Sequence, residues 1–118
     1  MSETTGNPPL TGIRVVDIST ERAEFAGRLL ADLGAEVIKV EPPEGAASRH
    51  LPPWENGKEG SADGSLYWAA FALGKKSVVI DIKSTPGREQ LKTLLKSADA
   101  VIESFDPGVM SGLGLGYE

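Results

Sequence analysis

IRVVDISTERAEFAGRLLADLGAEVIKVEPP, residues 13–43, is the stretch that decides the fold. Its first six residues, Ile13-Arg14-Val15-Val16-Asp17-Ile18, are a short run rich in β-branched residues, which predicts a buried strand. Ser19-Thr20-Glu21-Arg22 is a polar break. Ala26, Leu29, Leu30 and Leu33 then recur at i, i+3, i+4 and i+7, one face of an amphipathic helix over 23–33. Ser19 or Thr20 is the expected cap, and Gly34 the expected end. Val37-Ile38-Lys39-Val40 is a second strand, stopped by Glu41-Pro42-Pro43. Strand, helix and strand in about 30 residues make a βαβ unit, whose two strands run parallel.

The pattern extends downstream. Residues 42–65 are dominated by Pro, Gly, Ser, Glu and Asp and read as a long loop. Leu66 to Leu73 is a short helix expected to be mostly buried. Ser77-Val78-Val79-Ile80-Asp81-Ile82 is a third strand. Thr85-Pro86 starts a helix, with a hydroxyl ahead of proline, and Leu91, Leu94, Leu95 and Ala98 form its inner stripe. Ala100-Val101-Ile102-Glu103 is a fourth strand, and one more helical turn is expected within 107–113. The order β-α-β-loop-α-β-α-β is that of a doubly wound, Rossmann-like, mostly parallel α/β sheet. Such sheets bind ligands outside the carboxyl ends of their strands. Here those ends are 19–21, 41–43, 83–85 and 104–106.

Composition narrows the function classes. The chain has 118 residues, with 12 Lys plus Arg against 17 Asp plus Glu, a net charge of −5. That balance disfavours nucleic acid, which needs an excess of cations. With no cysteine and one histidine, His50, neither a disulfide framework nor a Cys/His metal site can be built. No apolar run reaches the roughly 18–20 residues of a membrane span, so a soluble cytoplasmic domain is expected.

Most nucleotide-binding and catalytic motifs are missing from the sequence. No glycine follows the first strand, so the G-x-G-x-x-G dinucleotide fingerprint is missing. Glu41 alone stands where a ribose carboxylate would, and otherwise reads as a solvated carboxylate before a turn. No P-loop occurs. Lys75-Lys76 could hold an anionic ligand, or be a solvated basic pair at a turn. His50 has no nucleophile and acid around it to make a triad. Tyr67, Trp68 and Phe71 fit core packing, whereas Phe105, just past a strand end, is the better stacking candidate.

Four ordered segments carry a resemblance. They are Pro9-Leu10-Thr11-Gly12-Ile13-Arg14-Val15-Val16-Asp17; residues 29–43, LLADLGAEVIKVEPP; Gly74-Lys75-Lys76-Ser77-Val78 with Asp81-Ile82-Lys83 and Gly87; and residues 98–105, ADAVIESF, followed by Pro107-Gly108-Val109-Met110 and Leu113-Gly114. From about residue 9 onward, the sequence resembles the N-terminal part of the family III CoA-transferases. That family includes formyl-CoA transferase, carnitine CoA-transferase and α-methylacyl-CoA racemase.

The resemblance implies a CoA thioester and a carboxylic acid as substrates, and no metal. By position, Ser19, Thr20 and Glu21 would border the thioester end of CoA. Glu41 and Pro42 would lie near the adenosine. Leu73, Lys75 and Lys76 would line the adenine and phosphate region, and Ser104 and Phe105 would contact CoA from the fourth strand. The family's catalytic aspartate lies beyond the equivalent of Glu118, so the resemblance assigns no catalytic residue among these 118. It implies that residues 1–118 are an incomplete N-terminal part of a larger CoA-binding domain, and that full-length chains form interlocked homodimers. The sequence departs from the family pattern at Ala23-Glu24, where Gly-Pro is usual, and at Gly74 and Ser104, where Asn is usual. Two alternatives stay open: part of a racemase, which Gly74 slightly favours, or a non-catalytic chain that binds CoA or assembles with a partner.

Overall fold

The computed structural model describes residues 6–116. Four strands form one sheet: β1 (Arg14–Asp17), β2 (Glu36–Glu41), β3 (Lys76–Val79) and β4 (Ala100–Ile102). Their spatial order is β3-β2-β1-β4, and every pairing is parallel. Val15 and Val16 of β1 pair with Val37 and Ile38 on one side and with Ala100 and Val101 on the other. β1 is therefore central, and its Val15, Val16 and Asp17 are buried. The chain first winds outward from β1 through β2 to β3, then returns across β1 to place β4. That reversal is the switch point of a doubly wound sheet.

The helices are α1 (Glu24–Asp32), α2 (Leu66–Ala72), α3 (Thr85–Leu95) and the single turn α4 (Val109–Gly112). On one face of the sheet, Val16, Ile18, Val40, Ile80 and Leu91 form the core, with Leu94, Leu95, Ala98 and Phe105 packed against it. The expected α3 stripe is therefore the inner face of that helix. On the other face Val15, Ala35 and Val37 pack with Leu30 and Ala31 of α1.

Four local expectations are corrected. First, α1 does not bury the whole Ala26/Leu29/Leu30/Leu33 stripe, since Leu29 and Leu33 are 46% and 47% exposed. Its fully buried residues are Glu24 and Gly27, because that side meets charged groups rather than an apolar wall. A Cβ on Gly27 would lie 2.6 Å from Asp17 Oδ2 and 2.9 Å from Lys75 Cε, so only glycine allows this approach. Secondly, neither Ser19 nor Thr20 caps α1. The cap position is Ala23, with no side-chain bond, and both hydroxyls serve elsewhere. Thirdly, α2 has no buried residue. Its aromatic rings pack on one another and on α1 instead, with Phe71 edge-on to Phe25 at 5.9 Å and 4.7 Å from Tyr67. The α3 cap is Ser84, one residue before the expected Thr85, its Oγ accepting from Gly87 N at 3.0 Å.

The 42–65 segment is ordered by a short 3-10 turn at Ala47–His50 and by a bridge between Trp54 and Ser65. Among the described residues no helix is long and apolar enough to cross a membrane.

Candidate functional site

The strand ends converge on one crevice of about 370 Å3. Ile18, Val40 and Ile80, each following or ending a strand, make its apolar floor. Ser19 and Thr20 enter from β1, Pro42 and Pro43 from β2, Asp81, Ile82 and Lys83 from β3, and Phe105 from β4. Ala46 and Ala47 of the long loop form one wall. A mostly apolar cleft with a few polar groups suits a ligand with both an apolar or planar part and charge.

Beneath it lies a buried charge cluster. Asp17, Glu24 and Lys39 are each at most 1% exposed, and the Lys75 side chain is 1% exposed. Lys75 Nζ donates to Asp17 Oδ2 at 2.7 Å and to the Glu24 carbonyl at 2.9 Å. Lys39 Nζ lies 3.7 Å from Asp17 Oδ1 and 3.9 Å from Glu24 Oε1, and donates to the Ser19 carbonyl. Two cations face two carboxylates, so the cluster is neutral, as burial requires. Burial still pushes the Lys39 ammonium below the ordinary lysine pKa, against the pull of Asp17 and Glu24. Ser19 is fixed from both ends, because its amide donates to Asp17 Oδ1 at 2.9 Å and its hydroxyl at 2.5 Å. These bonds set the path of the chain as it leaves β1 into the crevice.

Glu41 is a second hub. It is 2% exposed, which overturns the solvated-carboxylate reading. Burial opposes its charge, but Arg49, Ser77 and the Ala46 amide all donate to it, and its pKa falls from 4.5 to about 2. Arg49 Nε and Nη2 donate to its two oxygens at 2.6 and 2.9 Å, a two-pronged bond matched to the carboxylate plane. The same guanidinium lies 4.1 Å over the Trp68 ring and donates to the Ala62 carbonyl at 2.9 Å. One arginine thus ties together both ends of the long loop and α2. With both its oxygens engaged, Glu41 is not free to take a ribose.

The switch point is spanned by hydrogen bonds. Thr20 N donates to Ser104 Oγ at 2.9 Å, and the two hydroxyls are 2.8 Å apart. Arg22 Nη1 and Asp106 Oδ1 pair across the same gap at 3.0 Å. These contacts seat Phe105 at the crevice.

The ten residues nominated from sequence therefore separate. Ser19, Thr20, Pro42 and Phe105 line the crevice. Glu41 and Ser104 lie just behind its lining as supports. Glu21 is exposed on the following loop. Leu73, Lys75 and Lys76 sit at the opposite, amino end of β3, where Leu73 is 57% exposed, Lys75 is buried against Asp17, and Lys76 bonds Glu36 at 2.6 Å. Lys83, which stands at a strand end and in the third family-like segment but was not among the ten, is the exposed cation of the crevice lining. The parallel register was the signal that points to it, since β3 runs from Lys76 toward Ile80 and Lys83.

The family model described as CoA-transferase family III matches residues 10–118. The chain belongs to CoA-transferase family III. It is 40% identical over 114 residues to a succinate–glutarate CoA-transferase of Agrobacterium fabrum, covering 94% of this chain and 28% of that protein. It is 40% identical over 111 residues to a succinyl-CoA–D-citramalate CoA-transferase of Chloroflexus aurantiacus, covering 93% and 27%. A crystal structure of a CAIB/BAIF family protein from Brucella suis superposes with a TM-score of 0.83 at 37% identity, over 95% of this chain and 30% of that one. A crystal structure from Mycobacterium tuberculosis superposes at 0.79 with 42% identity, over 93% and 29%. This family III chain spans between a quarter and a third of the length of these relatives.

Family membership sharpens one departure noted in the sequence. Gly74 has φ +84°, a left-handed position that Gly and Asn both tolerate. The turn between α2 and β3 thus accommodates either residue.

Proposed function

We propose that this family III chain supplies the CoA-binding part of an enzyme that moves CoA between carboxylic acids. The observation that carries the reading is the crevice at the carboxyl ends of the parallel strands, apolar in its floor and with Lys83 in its lining, in a chain matched by the family over residues 10–118. In this reading the floor of Ile18, Val40 and Ile80 takes the less polar body of an acyl-CoA. Phe105 offers a face for its planar ring, and Ser19 and Thr20 border the thioester end. Lys83 meets a phosphate as a point charge. Lys75 and Lys76 are replaced in that role, because they lie at the far end of β3 and are already paired. The relatives named above are CoA-transferases, which supports transfer over the racemase alternative. The catalytic carboxylate, the interlocked homodimer and the cytoplasmic setting belong to this proposal through the family resemblance.

The test is calorimetric titration of the purified chain with CoA at several salt concentrations. Lys83→Ala is expected to weaken binding about fivefold and to flatten its salt dependence. Lys76→Ala is expected to leave both unchanged. Absence of CoA binding by the wild-type chain, or an unaltered salt dependence in Lys83→Ala, would overturn the assignment.

A further inference from the structure

Glu24 belongs to the Ala23-Glu24 pair, where the family resemblance implies Gly-Pro, and it is 1% exposed. Its partners explain why a carboxylate is kept there. Ser48, 0% exposed, donates to Glu24, lying 2.6 Å from Oε1 and 2.9 Å from Oε2. Ser48 belongs to the 3-10 turn Ala47–His50, directly after Ala46 and Ala47 of the crevice wall. The Ser48 carbonyl in turn accepts from Ser65 Oγ at 3.0 Å, and Ser65 caps α2. On its other flank the same turn is held by Glu41, which accepts from Ala46 N at 2.9 Å and from Arg49.

From this arrangement we infer that Glu24 and Ser48 are positioning residues that hold the loop wall of the crevice in its ligand-ready shape. The turn has two anchors. Glu41 is built into the end of β2 and fixes the turn to the sheet. Glu24 comes from α1 and fixes it to the helix. With both in place the short stretch between Ala46 and Arg49 has little freedom, and a ligand entering the crevice meets a wall already ordered. Without the Ser48 hydroxyl, the ordering would have to be supplied at the moment of binding. Lys39 connects this clamp to the opposite wall. Its ammonium lies 3.9 Å from Glu24 Oε1 and donates to the Ser19 carbonyl, so one buried charge network sets the Ser19 side and the Ala46–Ala47 side together. The inference rests on the crevice being the CoA site.

The test is Ser48→Ala, which removes one hydroxyl and leaves Glu24 its Lys39 neighbour. Two readouts are taken on the purified chain: amide hydrogen exchange by mass spectrometry, and CoA affinity by calorimetry. Exchange in residues 44–50 is expected to speed up severalfold, while β1 and β2 stay protected. CoA affinity is expected to fall about fivefold, with its salt dependence unchanged. Lys83→Ala is the control and should show the reverse: a flattened salt dependence and unaltered exchange in the turn. Ser48→Thr keeps the hydroxyl and should restore the slow exchange. Unchanged exchange in Ser48→Ala would overturn the clamp. Faster exchange with unchanged CoA affinity would overturn its role in the site. If the wild-type chain binds no CoA, the CoA reading fails and with it the role in binding, while the exchange result still decides whether the clamp exists.

Discussion

Replacing Glu41 by Gln removes the charge of the carboxylate at the end of β2 that anchors the loop, while keeping its shape. The size of the effect follows from its titration. Glu41 ionises at about 2 in the folded chain, against an ordinary value of 4.5. At about 1.4 kcal/mol per pH unit, that difference of about 2.5 corresponds to about 3 kcal/mol of stability. Because the folded value is depressed, the contribution is fully present above pH 4.5 and is lost as the pH falls toward 2. By pH 3, about half of it should be gone. The assay is urea unfolding at pH 6 and pH 3, followed by tryptophan fluorescence and far-UV circular dichroism. Other carboxylates also titrate in this interval, so the informative quantity is the gap between wild type and Glu41→Gln. That gap is expected to be about 3 kcal/mol at pH 6 and about 1.5 kcal/mol at pH 3. A gap that stays constant between the two would refute the argument, because it would mean that the donors around Glu41 do not stabilise its charge.

Further outcomes follow from the packing. Gly27→Ala should destabilise by about 1–3 kcal/mol in urea unfolding, despite the better helix propensity of alanine, because the added Cβ meets Asp17 Oδ2 at 2.6 Å. Lys75→Met should cost about 3 kcal/mol by leaving Asp17 short of a partner in a buried site, whereas Lys76→Ala, whose side chain is 70% exposed, should stay within about 0.5 kcal/mol. Ser84→Ala should cost about 1 kcal/mol through loss of the α3 cap, read as a lowered urea midpoint with the slope unchanged.

The sheet was legible because its strands carry β-branched runs and its connections carry turn residues. Arg14–Asp17 and Glu36–Glu41 fall within a residue or so of the runs that announce them. Periodicity failed at α1, where Leu29 and Leu33 look like core but the buried side is Glu24 and Gly27. A pattern of apolar spacing assumes that the whole wall opposite is apolar, and here it is apolar only where Val15, Ala35 and Val37 meet Leu30 and Ala31, and charged at Asp17, Lys39 and Lys75. The crevice was legible only by its edge. The doubly wound order identified the strand ends, and Ser19, Thr20, Pro42 and Phe105 proved to line the crevice between them. Lys75 and Lys76 stood out because two adjacent cations in an acidic chain draw the eye. A parallel register puts their backbone at the amino end of β3, and their carboxylate partners, Asp17 and Glu36, lie 58 and 40 residues away in sequence. Pairings of that range have no local signature. The same holds for Glu24 and Ser48, which are 24 residues apart.

The strand order has a consequence for how the crevice is assembled. β1, β2 and β3 are neighbours in sequence as well as in space, so the ladder carrying Ile18, Val40 and Ile80 can close soon after residue 80 is made. β4 must instead come back to β1, and Thr20 waits for a hydroxyl 84 residues further on. Closing that long loop carries its entropy cost late. During synthesis from the N-terminus, the floor of the crevice is therefore available before the segment that brings Phe105 to it. The Thr20–Ser104 contact therefore follows the floor, and a chain caught before it would have three paired strands and an open cleft.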